Sequence, residues 1–372
     1  MLNCIGSHAQ ELMLPERWNN TFWNILPLFH PDTVSICFIG DVMMHGMQIE
    51  NAHRQDDSYD FTPCLSLIKD KLSAADLTVA NMEFSLGGKP YTGYPAFSAP
   101  DEIAFYAAES GIDVFLAANN HIFDRGTSGA ERTMKIYREL GKSHGIKFTG
   151  IAEDEDEYLR NTPLICNVNG MRIALLNFTY GTNGGKRNGW PKVSYMDEKE
   201  DIEKRMSAKD HDALFVLPHW GNEYELTHSE EQEGIAEWLA GNGADYIIGT
   251  HPHVVQDTAS IQNADTGTIT CIAYSLGNAI SNMSARNTQL ELMATCRIVR
   301  HSNGKIEHLP MELEFLWCSR PGGFNDSYTV IPVKEYLGKK ELWKNSWDYN
   351  NMTDTYIRVK EATGITDTFN NR

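Results

Sequence analysis

The sequence predicts an α/β protein with mixed sheets, and three observations support this fold class. Short apolar runs alternate with amphipathic helical patterns in the first half of the chain, which indicates repeated strand–helix units. The second half has neighbouring strand-like runs with no convincing helix between the last two. Hydrophobic residues make up 41% and charged residues 22% of the 372 residues, a composition typical of a globular chain with a sizeable core.

Three strand–helix units are predicted first, followed by a part richer in strands. The first half pairs residues 33–40 (TVSICFIG) with a helix at 64–75, 76–81 (DLTVAN) with 101–111, and 114–120 (VFLAANN) with 128–145. The second half has a helix at 229–243 and strands at 171–180, 212–220, 246–251, 268–278 and 290–300. Strands separated by helices favour parallel pairing, whereas the last two strands can pair directly, so mixed sheets are expected.

Charge and cysteine content exclude several classes of protein. The 32 basic and 50 acidic residues give a net charge of −18, which argues against nucleic acid as a partner because that contact needs clustered Lys and Arg. An anionic substrate would need local positive charge, and a bound metal is one source of it. The seven scattered cysteines form no C-x-x-C motif, and no apolar run reaches eighteen residues, so neither a zinc thiolate site nor a transmembrane span is predicted.

The stretch IIGTHPHVVQ, residues 247–256, places two histidines just after an apolar run. Pro252 lies between the two histidines and lacks the backbone N–H that a strand needs for its hydrogen-bond ladder. It therefore favours an irregular loop at His251 and His253 over a continuing strand. We therefore expect the pair to lie at the exit of a short buried strand. Two surface histidines in a turn are the alternative for this stretch taken alone.

Polar side chains follow six of the predicted strands. They are Asp41, then Asn81 and Glu83, then Asn119, Asn120 and His121, then His219, then His251 and His253, and finally Asn278. Ligands bind outside the carboxyl ends of strands in open α/β sheets, so these loops converge if the strands are parallel neighbours. Carboxylate, amide and imidazole groups form a mixed oxygen and nitrogen set that suits one or two divalent transition metals (Mn, Fe or Zn) better than Mg²⁺ or Ca²⁺.

Six motifs carry a resemblance to a known family. They are GDVM (40–43), NMEFSL (81–86), AANNHIFDRG (117–126), LPHWGNEYE (217–225), GADYIIGTHPHVVQ (243–256) and YSLGN (274–278). In this order they resemble the bacterial capsule-synthesis proteins of the poly-γ-glutamate (CapA-type, PGA_cap) family, which is similar to the calcineurin-like metallophosphoesterases. The resemblance implies a metallophosphoesterase-like α/β/β/α sandwich over residues 33–318, with extensions at 1–32 and 319–372.

The resemblance also implies roles for the polar residues at the strand ends. Asp41 and His253 would bind a first metal, Glu83 would bridge in place of the aspartate of the phosphoesterases, and the second metal would be bound by Asn120, His219 and His251. Phosphoesterases usually begin with D-x-H, but this chain has Asp41, Val42 and Met43, so the first site lacks the histidine of that motif unless His45 takes its place. A single-metal site is therefore an open alternative.

Catalytic and substrate-binding residues follow from the same resemblance. His121 corresponds to the histidine that acts as an acid or stabilises the transition state, and Asp124 would orient its ring. The remaining amides at strand ends, Asn81, Asn119 and Asn278, are candidates for binding substrate, although Asn119 could instead cap a turn.

Two functions remain open at the level of the sequence. The first is a metal-dependent hydrolase of phosphoester type in the synthesis of a capsule or another anionic envelope polymer. The second is a non-catalytic factor for assembly or export of poly-γ-glutamate, which would bind the polymer through the same metal cluster. A capsule-synthesis membrane complex is a candidate partner. The triplet Ser7, His8 and Ala9 resembles a signal-peptidase site and indicates the cell envelope or periplasm, but the signal is incomplete and a cytoplasmic location stays open.

Overall fold

Two mixed β-sheets form the centre of the molecule. The structure is a computed structural model that describes residues 32–263 and 267–368. In chain order its strands are β1 (Asp32–Val42), β2 (Leu77–Met82), β3 (Val114–Leu116), β4 (Lys147–Thr149), β5 (Ile151–Ala152), β6 (Leu164–Val168), β7 (Met171–Thr179), β8 (Lys192–Val193), β9 (Ala213–His219), β10 (Tyr246–Ile248), β11 (Thr258–Gln262), β12 (Ile269–Ala273), β13 (Asn278–Ile280), β14 (Leu290–Arg300), β15 (Ile306–His308), β16 (Glu312–Ser319) and β17 (Thr329–Pro332). The helices are α1 (Gly46–Ala52), α2 (Lys69–Ala74), α3 (Glu102–Glu109), α4 (Gly126–His144), α5 (Glu155–Asn161), α6 (Lys199–Met206), α7 (Glu230–Gly241), α8 (Val333–Tyr336) and α9 (Ser346–Thr363).

Both large sheets combine parallel and antiparallel pairs. The first sheet has the order β17-β16-β14-β1-β2-β3-β4, with β13 beside β1 and β15 beside β14. Strands β1 to β4 are parallel, and β14, β16 and β17 add antiparallel pairs. The second sheet has the order β11-β12-β10-β9-β7-β6 and is parallel from β12 to β7. The predicted mixed sheets are therefore confirmed.

The two sheets pack face to face and helices cover their outer faces. Phe38 of β1 and Phe215 of β9 meet between the sheets, with their ring centroids 5.2 Å apart. Helix α4 buries Met134, Tyr137 and Leu140 against the first sheet, because a spacing of three residues keeps side chains on one helical face. Each such side chain contributes about 1.5–3 kcal/mol on burial. Helices α6 and α7 cover the second sheet, so the predicted α/β/β/α sandwich is confirmed.

One predicted helix is shorter than its hydrophobic pattern suggested. Residues 64–75 were expected to be helical throughout, but α2 begins only at Lys69. The preceding residues form tight turns in which Cys64 N–H donates to the Phe61 carbonyl and Ile68 N–H donates to the Leu65 carbonyl, each three residues back. Leu65 and Ile68 are fully buried in this conformation, so their apolar spacing reflects packing rather than a continuous helix.

The last part of the chain packs on the same inner core. Strand β17 pairs with β16, and α9 lies against β14 and β16, where Tyr356 meets Phe315 at a centroid distance of 5.3 Å. The division between 33–318 and 319–372 stays a prediction. The extension predicted at 1–32 lies outside the described residues except for residue 32. No helix in the described parts of the chain is both long and apolar enough to cross a membrane.

Candidate metal centre

The carboxyl ends of strands from both sheets meet at one edge of the sandwich. Strands β1, β2 and β3 end there in the first sheet, and β9 and β10 end there in the second. The structure brings together all six predicted metal ligands, and each is at most 4% exposed: Asp41, Glu83, Asn120, His219, His251 and His253. Parallel strands in neighbouring sheets thus place the polar residues of five chain segments around one point.

Glu83 lies at the centre of this cluster. Its Oε1 atom is 3.7 Å from His219 Nε2, 3.8 Å from His253 Nε2 and 4.0 Å from His121 Nε2. Neither carboxylate oxygen has a hydrogen-bond partner among the described residues, although the side chain is fully buried. Burial, and then the nearby Asp41 carboxylate, raises the pKa of Glu83 well above its usual value. A buried carboxylate in this position needs a cation to compensate its charge.

Two overlapping groups of side chains have the geometry to hold a metal ion. The ligand atoms of Glu83, His251 and His253 lie within 4.8 Å of one another, and so do those of Asp41, Glu83 and His219. Because Glu83 belongs to both groups, the donor set fits one metal or a pair that shares this carboxylate. The resemblance assigned Asp41 and His253 to the first metal and His219 and His251 to the second. In the structure His219 is grouped with Asp41, and His253 with His251. Which residue binds which metal therefore stays a prediction.

A bulge at the end of β1 aims Asp41 into the cluster. The register between β1 and β2 shifts between Ile39 and Asp41, so Gly40 is left out of the pairing and the next side chain is redirected. Gly40 N–H donates to Glu291 Oε1 over 2.8 Å. Burial, with a smaller contribution from Asp41, raises the pKa of Glu291 to about 8. Asp41 itself accepts hydrogen bonds from Asn81 Nδ2 at 2.7 Å and from His251 N–H at 3.2 Å.

The predicted irregular loop follows β10 and holds two histidines in a strained conformation. The φ angles of His251 and His253 are +99° and +59°, in the left-handed region that non-glycine residues seldom adopt. Such residues cost about 1–3 kcal/mol each and concentrate at functional sites. Here this backbone conformation directs both imidazoles toward Glu83. The Asn278 side-chain oxygen lies 3.0 Å from His253 Nδ1, which leaves Nε2 for the cluster.

Two histidines of the cluster, His219 and His251, favour the neutral form that binds metal ions. Burial, followed by repulsion from neighbouring imidazoles, lowers the pKa of His219 well below its usual value and the pKa of His251 to about 3. His219 Nδ1 lies 3.0 Å from the Thr250 hydroxyl, and its Nε2 lies 3.0 Å from Asn120 Oδ1. The partner on Nδ1 fixes the ring and directs Nε2 to the centre.

His121 and Asp124 form a pair at the wall of the adjacent cleft. His121 Nδ1 lies 2.6 Å from Asp124 Oδ2, and the backbone N–H of Phe97 donates to the same oxygen over 2.7 Å. The Phe97 ring packs against His121 with a centroid distance of 4.6 Å. These contacts fix the imidazole with Nε2 facing the interior of the site, so the geometry allows it to hold or transfer a proton there. Its catalytic role stays a prediction.

The three amides predicted to bind substrate are fully buried and bond to the site itself. Asn81 donates to Asp41, Asn278 contacts His253, and Asn119 Nδ2 donates to the Met82 carbonyl over 2.9 Å. The Asn119 side-chain oxygen also accepts from the backbone N–H two residues on, at 3.1 Å, which is the turn-capping role considered for it. Their hydrogen bonds position metal-site side chains, and substrate binding by these amides stays a prediction.

The residue that replaces the D-x-H histidine is Met43, which is 2% exposed. His45 lies on the next turn at the N-terminus of α1, where its Nδ1 is 3.0 Å from Gln48 Oε1. Burial lowers the pKa of His45 to about 4. His45 lines the cleft but belongs to neither metal-type group, so the structure gives the first site no additional imidazole from this turn.

A cleft of about 400 Å³ opens beside the cluster. It is lined by His121 and His253 at its base and by Tyr94, Glu223 and Tyr224 at its rim. Tyr94 is 75% and Tyr224 is 43% exposed, so two aromatic rings border the entrance. Cleft and metal-type cluster therefore share a wall.

Two site residues were not found from the sequence. Asn183 Nδ2 lies 3.0 Å from His121 Nδ1, and Tyr180 packs on His251 with a centroid distance of 4.5 Å. Both follow β7, which was predicted as a strand, but its exit carries no carboxylate or histidine that would mark it as part of the site. Treating every exit from a parallel strand as part of the site would have found them.

Solved structures similar to this one include two nucleotidases. A putative 5'-nucleotidase from Staphylococcus aureus has a TM-score of 0.44 at 14% identity, over 76% of this chain and 54% of that chain. The NAD nucleotidase of Haemophilus influenzae has a TM-score of 0.47 at 11% identity, over 90% of this chain and 68% of that one. This chain thus spans about half of the staphylococcal protein.

Sequence relatives and a family model give a more specific result. The capsule biosynthesis protein CapA of Bacillus anthracis is 25% identical over 318 residues, which cover 82% of this chain and 74% of that protein. The PGA biosynthesis protein CapA of Bacillus subtilis (strain 168) is 26% identical over 302 residues, covering 77% and 73%. The family model described as bacterial capsule synthesis protein PGA_cap matches residues 35–283. Because this match spans more than half of the sequence, the chain belongs to the PGA_cap family of bacterial capsule synthesis proteins.

Proposed function

We propose that this protein is a metal-dependent hydrolase that cleaves a phosphoester during the synthesis of an anionic polymer of the cell envelope. The observation that carries the proposal is the fully buried Glu83 carboxylate, which has no hydrogen-bond partner among the described residues and faces three imidazoles. A binding surface for a polyanion has no need of a buried negative charge at its centre. Glu83 in this position would be compensated by a divalent cation held between it and the imidazoles.

One or two bound transition metals (Mn, Fe or Zn) would supply a Lewis acid for a phosphoryl oxygen and would lower the pKa of a water molecule. Asp41, Glu83, His219, His251 and His253 would hold these ions, with Asn120 as a further oxygen ligand. The buried position of these groups excludes bulk water and strengthens every electrostatic interaction in the site. A bound cation would also supply the positive charge that an anionic substrate needs in a protein of net charge −18.

His121 would protonate or stabilise the oxygen of the leaving group. It is adjacent to Asn120 in sequence, yet its ring forms part of the cleft wall, where a substrate can reach it. Asp124, whose Oδ2 lies 2.6 Å from Nδ1, would accept a hydrogen from that nitrogen and so keep Nε2 as the atom that exchanges a proton with substrate. Asn183 contacts both members of the pair and would hold them in register when substrate binds.

A second function is favoured by the family membership. The relatives are described as proteins of capsule or PGA biosynthesis, and neither description refers to hydrolysis. In that alternative the cluster binds carboxylates of the polymer without turnover, and the protein assists assembly or export. Both functions place the protein at the cell envelope.

The metal is tested with purified wild-type protein and the double variant His251→Ala/His253→Ala. Elemental analysis should find one to two equivalents of Mn, Fe or Zn in the wild type and a loss of most of it in the variant, because two imidazole ligands are removed. Hydrolysis of an aryl phosphate monoester and diester by the same preparations separates the two functions. Equal metal content in both preparations contradicts the proposed centre, and metal without hydrolysis favours the binding factor.

A further inference from the structure

A second cavity lies beside the metal cleft and is lined by three arginines. It has a volume of about 190 Å³, and its walls include Arg286, Arg320, Arg358 and Trp347. Ser284 and Ala285 line both this cavity and the metal cleft, so the two spaces adjoin across one short segment. Arg358 is contributed by α9, whereas the other two arginines flank β14 and β16. The chain segment predicted as a C-terminal extension therefore completes this cavity.

None of the three guanidinium groups has an ion-pair partner within the described ranges 32–263 and 267–368. Arg286 is exposed and makes no hydrogen bond there. The Nε atom of Arg320 is buried without a hydrogen-bond partner in the same residues, while its terminal nitrogen donates to the Met283 carbonyl. Seven other arginines of the described chain pair with carboxylates, whereas these three lie around one cavity of a protein of net charge −18.

Arg358 is fixed by hydrogen bonds to neighbouring groups. Its Nε and Nη2 atoms donate to Asn287 Oδ1 over 3.0 and 2.8 Å, and Nη2 also donates to Thr355 Oγ1 over 2.9 Å. Burial, followed by repulsion from Arg286, lowers the pKa of Arg358. The Asp354 carboxylate opposes this shift only in part, and an anion between Arg286 and Arg358 would remove the repulsion between them.

The geometry points to a second anion site, in which Arg286, Arg320 and Arg358 bind one oxyanion group of a ligand that also occupies the metal cleft. The chemical class is a carboxylate or a phosphate, because guanidinium groups present paired N–H donors to either. The assignment rests on the proposed function only in taking the ligand to be polyanionic. A polyanion that spans both spaces would place one acidic group at the metals and another at the arginines. These two contacts would align the polymer for reaction.

The experiment measures binding of two probes to the full-length protein by calorimetry, after metal has been stripped with a chelator and the chelator removed by dialysis, so that neither metal nor chelator contributes. The probes are inorganic phosphate and a short γ-linked glutamate oligomer. The variants are Arg286→Gln and the double variant Arg286→Gln/Arg358→Gln. The matched control is Arg160→Gln, which removes the same charge from an exposed position on α5, outside this cavity. Circular dichroism establishes that each variant is folded.

We expect the double variant to bind phosphate about 10- to 100-fold more weakly than the wild type, since each lost charge-assisted hydrogen bond is worth about tenfold in affinity. Arg286→Gln alone should lower the affinity for phosphate by about 3- to 10-fold. Because the Arg286 side chain makes no hydrogen bond to another described residue, this variant tests the site even if Arg358→Gln disturbs the loop. Arg160→Gln should bind as the wild type does. Equal affinity of the wild type and both variants, or no binding to the wild type, overturns the assignment.

The two probes identify the source of the anion. A parallel loss for the glutamate oligomer assigns the site to polymer carboxylates, and a loss for phosphate alone assigns it to phosphate. Failure of the wild type to hydrolyse aryl phosphate esters when loaded with metal would refute the proposed hydrolase. It would leave the difference in phosphate affinity between wild type and variants unaffected, so the two claims fail separately.

Discussion

At the scale of single residues, the site is organised by a charge that lacks a partner. Glu83 has three imidazole nitrogens within 4.0 Å and no hydrogen bond in the described structure, while its neighbours Asp41 and His219 are each oriented by an amide or a hydroxyl. Hydrogen bonds that orient ligands, around a carboxylate left without any, indicate a site built for a cation. The side chains that could bind metal thus differ from the side chains that orient them through hydrogen bonds.

His121 allows catalysis to be separated from metal binding. His121→Ala should leave the metal content nearly intact and lower turnover by about 10²- to 10⁴-fold, the usual contribution of a general acid or of electrostatic stabilisation. Metal content and hydrolysis are measured on the same preparation. His144→Ala, at the exposed end of α4, is the control and should change neither quantity. A variant at position 121 that loses its metal would show that His121 is a ligand instead.

Much of this residue-level picture was accessible from the sequence because side chains at strand exits are marked by position and type. Asp41, Glu83 and the histidines follow apolar runs and could be grouped without coordinates. Asn183 could not be grouped with them, since an asparagine in a glycine-rich loop is common in turns. The hydrogen bond from Asn81 to Asp41 could not be predicted either, because it depends on how closely the ends of β1 and β2 approach each other.

At the scale of elements, irregular backbone positions the ligands. The bulge at Gly40 turns Asp41 toward the centre, and the left-handed residues after β10 turn His251 and His253 toward it. Regular strands hold side chains roughly perpendicular to the sheet and would not direct these groups toward a point beyond the ends of the strands. The sequence indicated the loop through its proline but gave no sign of the bulge, because a glycine before an aspartate has many causes.

Replacing Gly40 tests the bulge. A Cβ atom at this position would lie 1.9 Å from the carbonyl oxygen of Gly277, a backbone atom that cannot move without shifting β13. Gly40→Ala should therefore lower the free energy of unfolding by about 3 kcal/mol and reduce metal content with it. Gly46→Ala is the control, because a Cβ there meets nothing within 4 Å. Its stability should be unchanged or higher by about 0.5 kcal/mol. Normal stability and metal content in Gly40→Ala would contradict the proposed function of the bulge.

At the scale of the whole molecule, the fold class was predictable and its completion was not. Alternating strand and helix patterns identified the α/β class, and the family resemblance implied the two sheets with helical layers outside them. The C-terminal segment has no clean periodicity, because α9 packs with only one side on β14 and β16 and carries aromatic and polar residues elsewhere. The sequence therefore left open whether this segment joins the core.

Helix α9 should fold as part of the main cooperative unit. Met352 is fully buried in the core between the sheets and this helix, and Met352→Ala should lower the free energy of unfolding by about 2–5 kcal/mol. Ile357, on the same helix, is 48% exposed, and Ile357→Ala should cost less than about 1 kcal/mol. Denaturant unfolding followed by fluorescence and by circular dichroism checks both values. Separate transitions for the two probes, or equal effects of the two variants, would indicate that the C-terminal segment folds on its own.

The central claim is that a metal centre around Glu83 hydrolyses phosphoesters, and a metal titration of turnover tests it most directly. Metal-stripped wild type and Glu83→Gln are titrated with Mn²⁺ or Zn²⁺ while hydrolysis of an aryl phosphate monoester and diester is followed. The wild type should gain activity until one to two equivalents are bound, and Glu83→Gln should bind less metal and reach less than about 1% of that rate, because the shared carboxylate is lost. A wild type that binds metal at this site and hydrolyses neither ester, or a Glu83→Gln variant as active as the wild type, would contradict it.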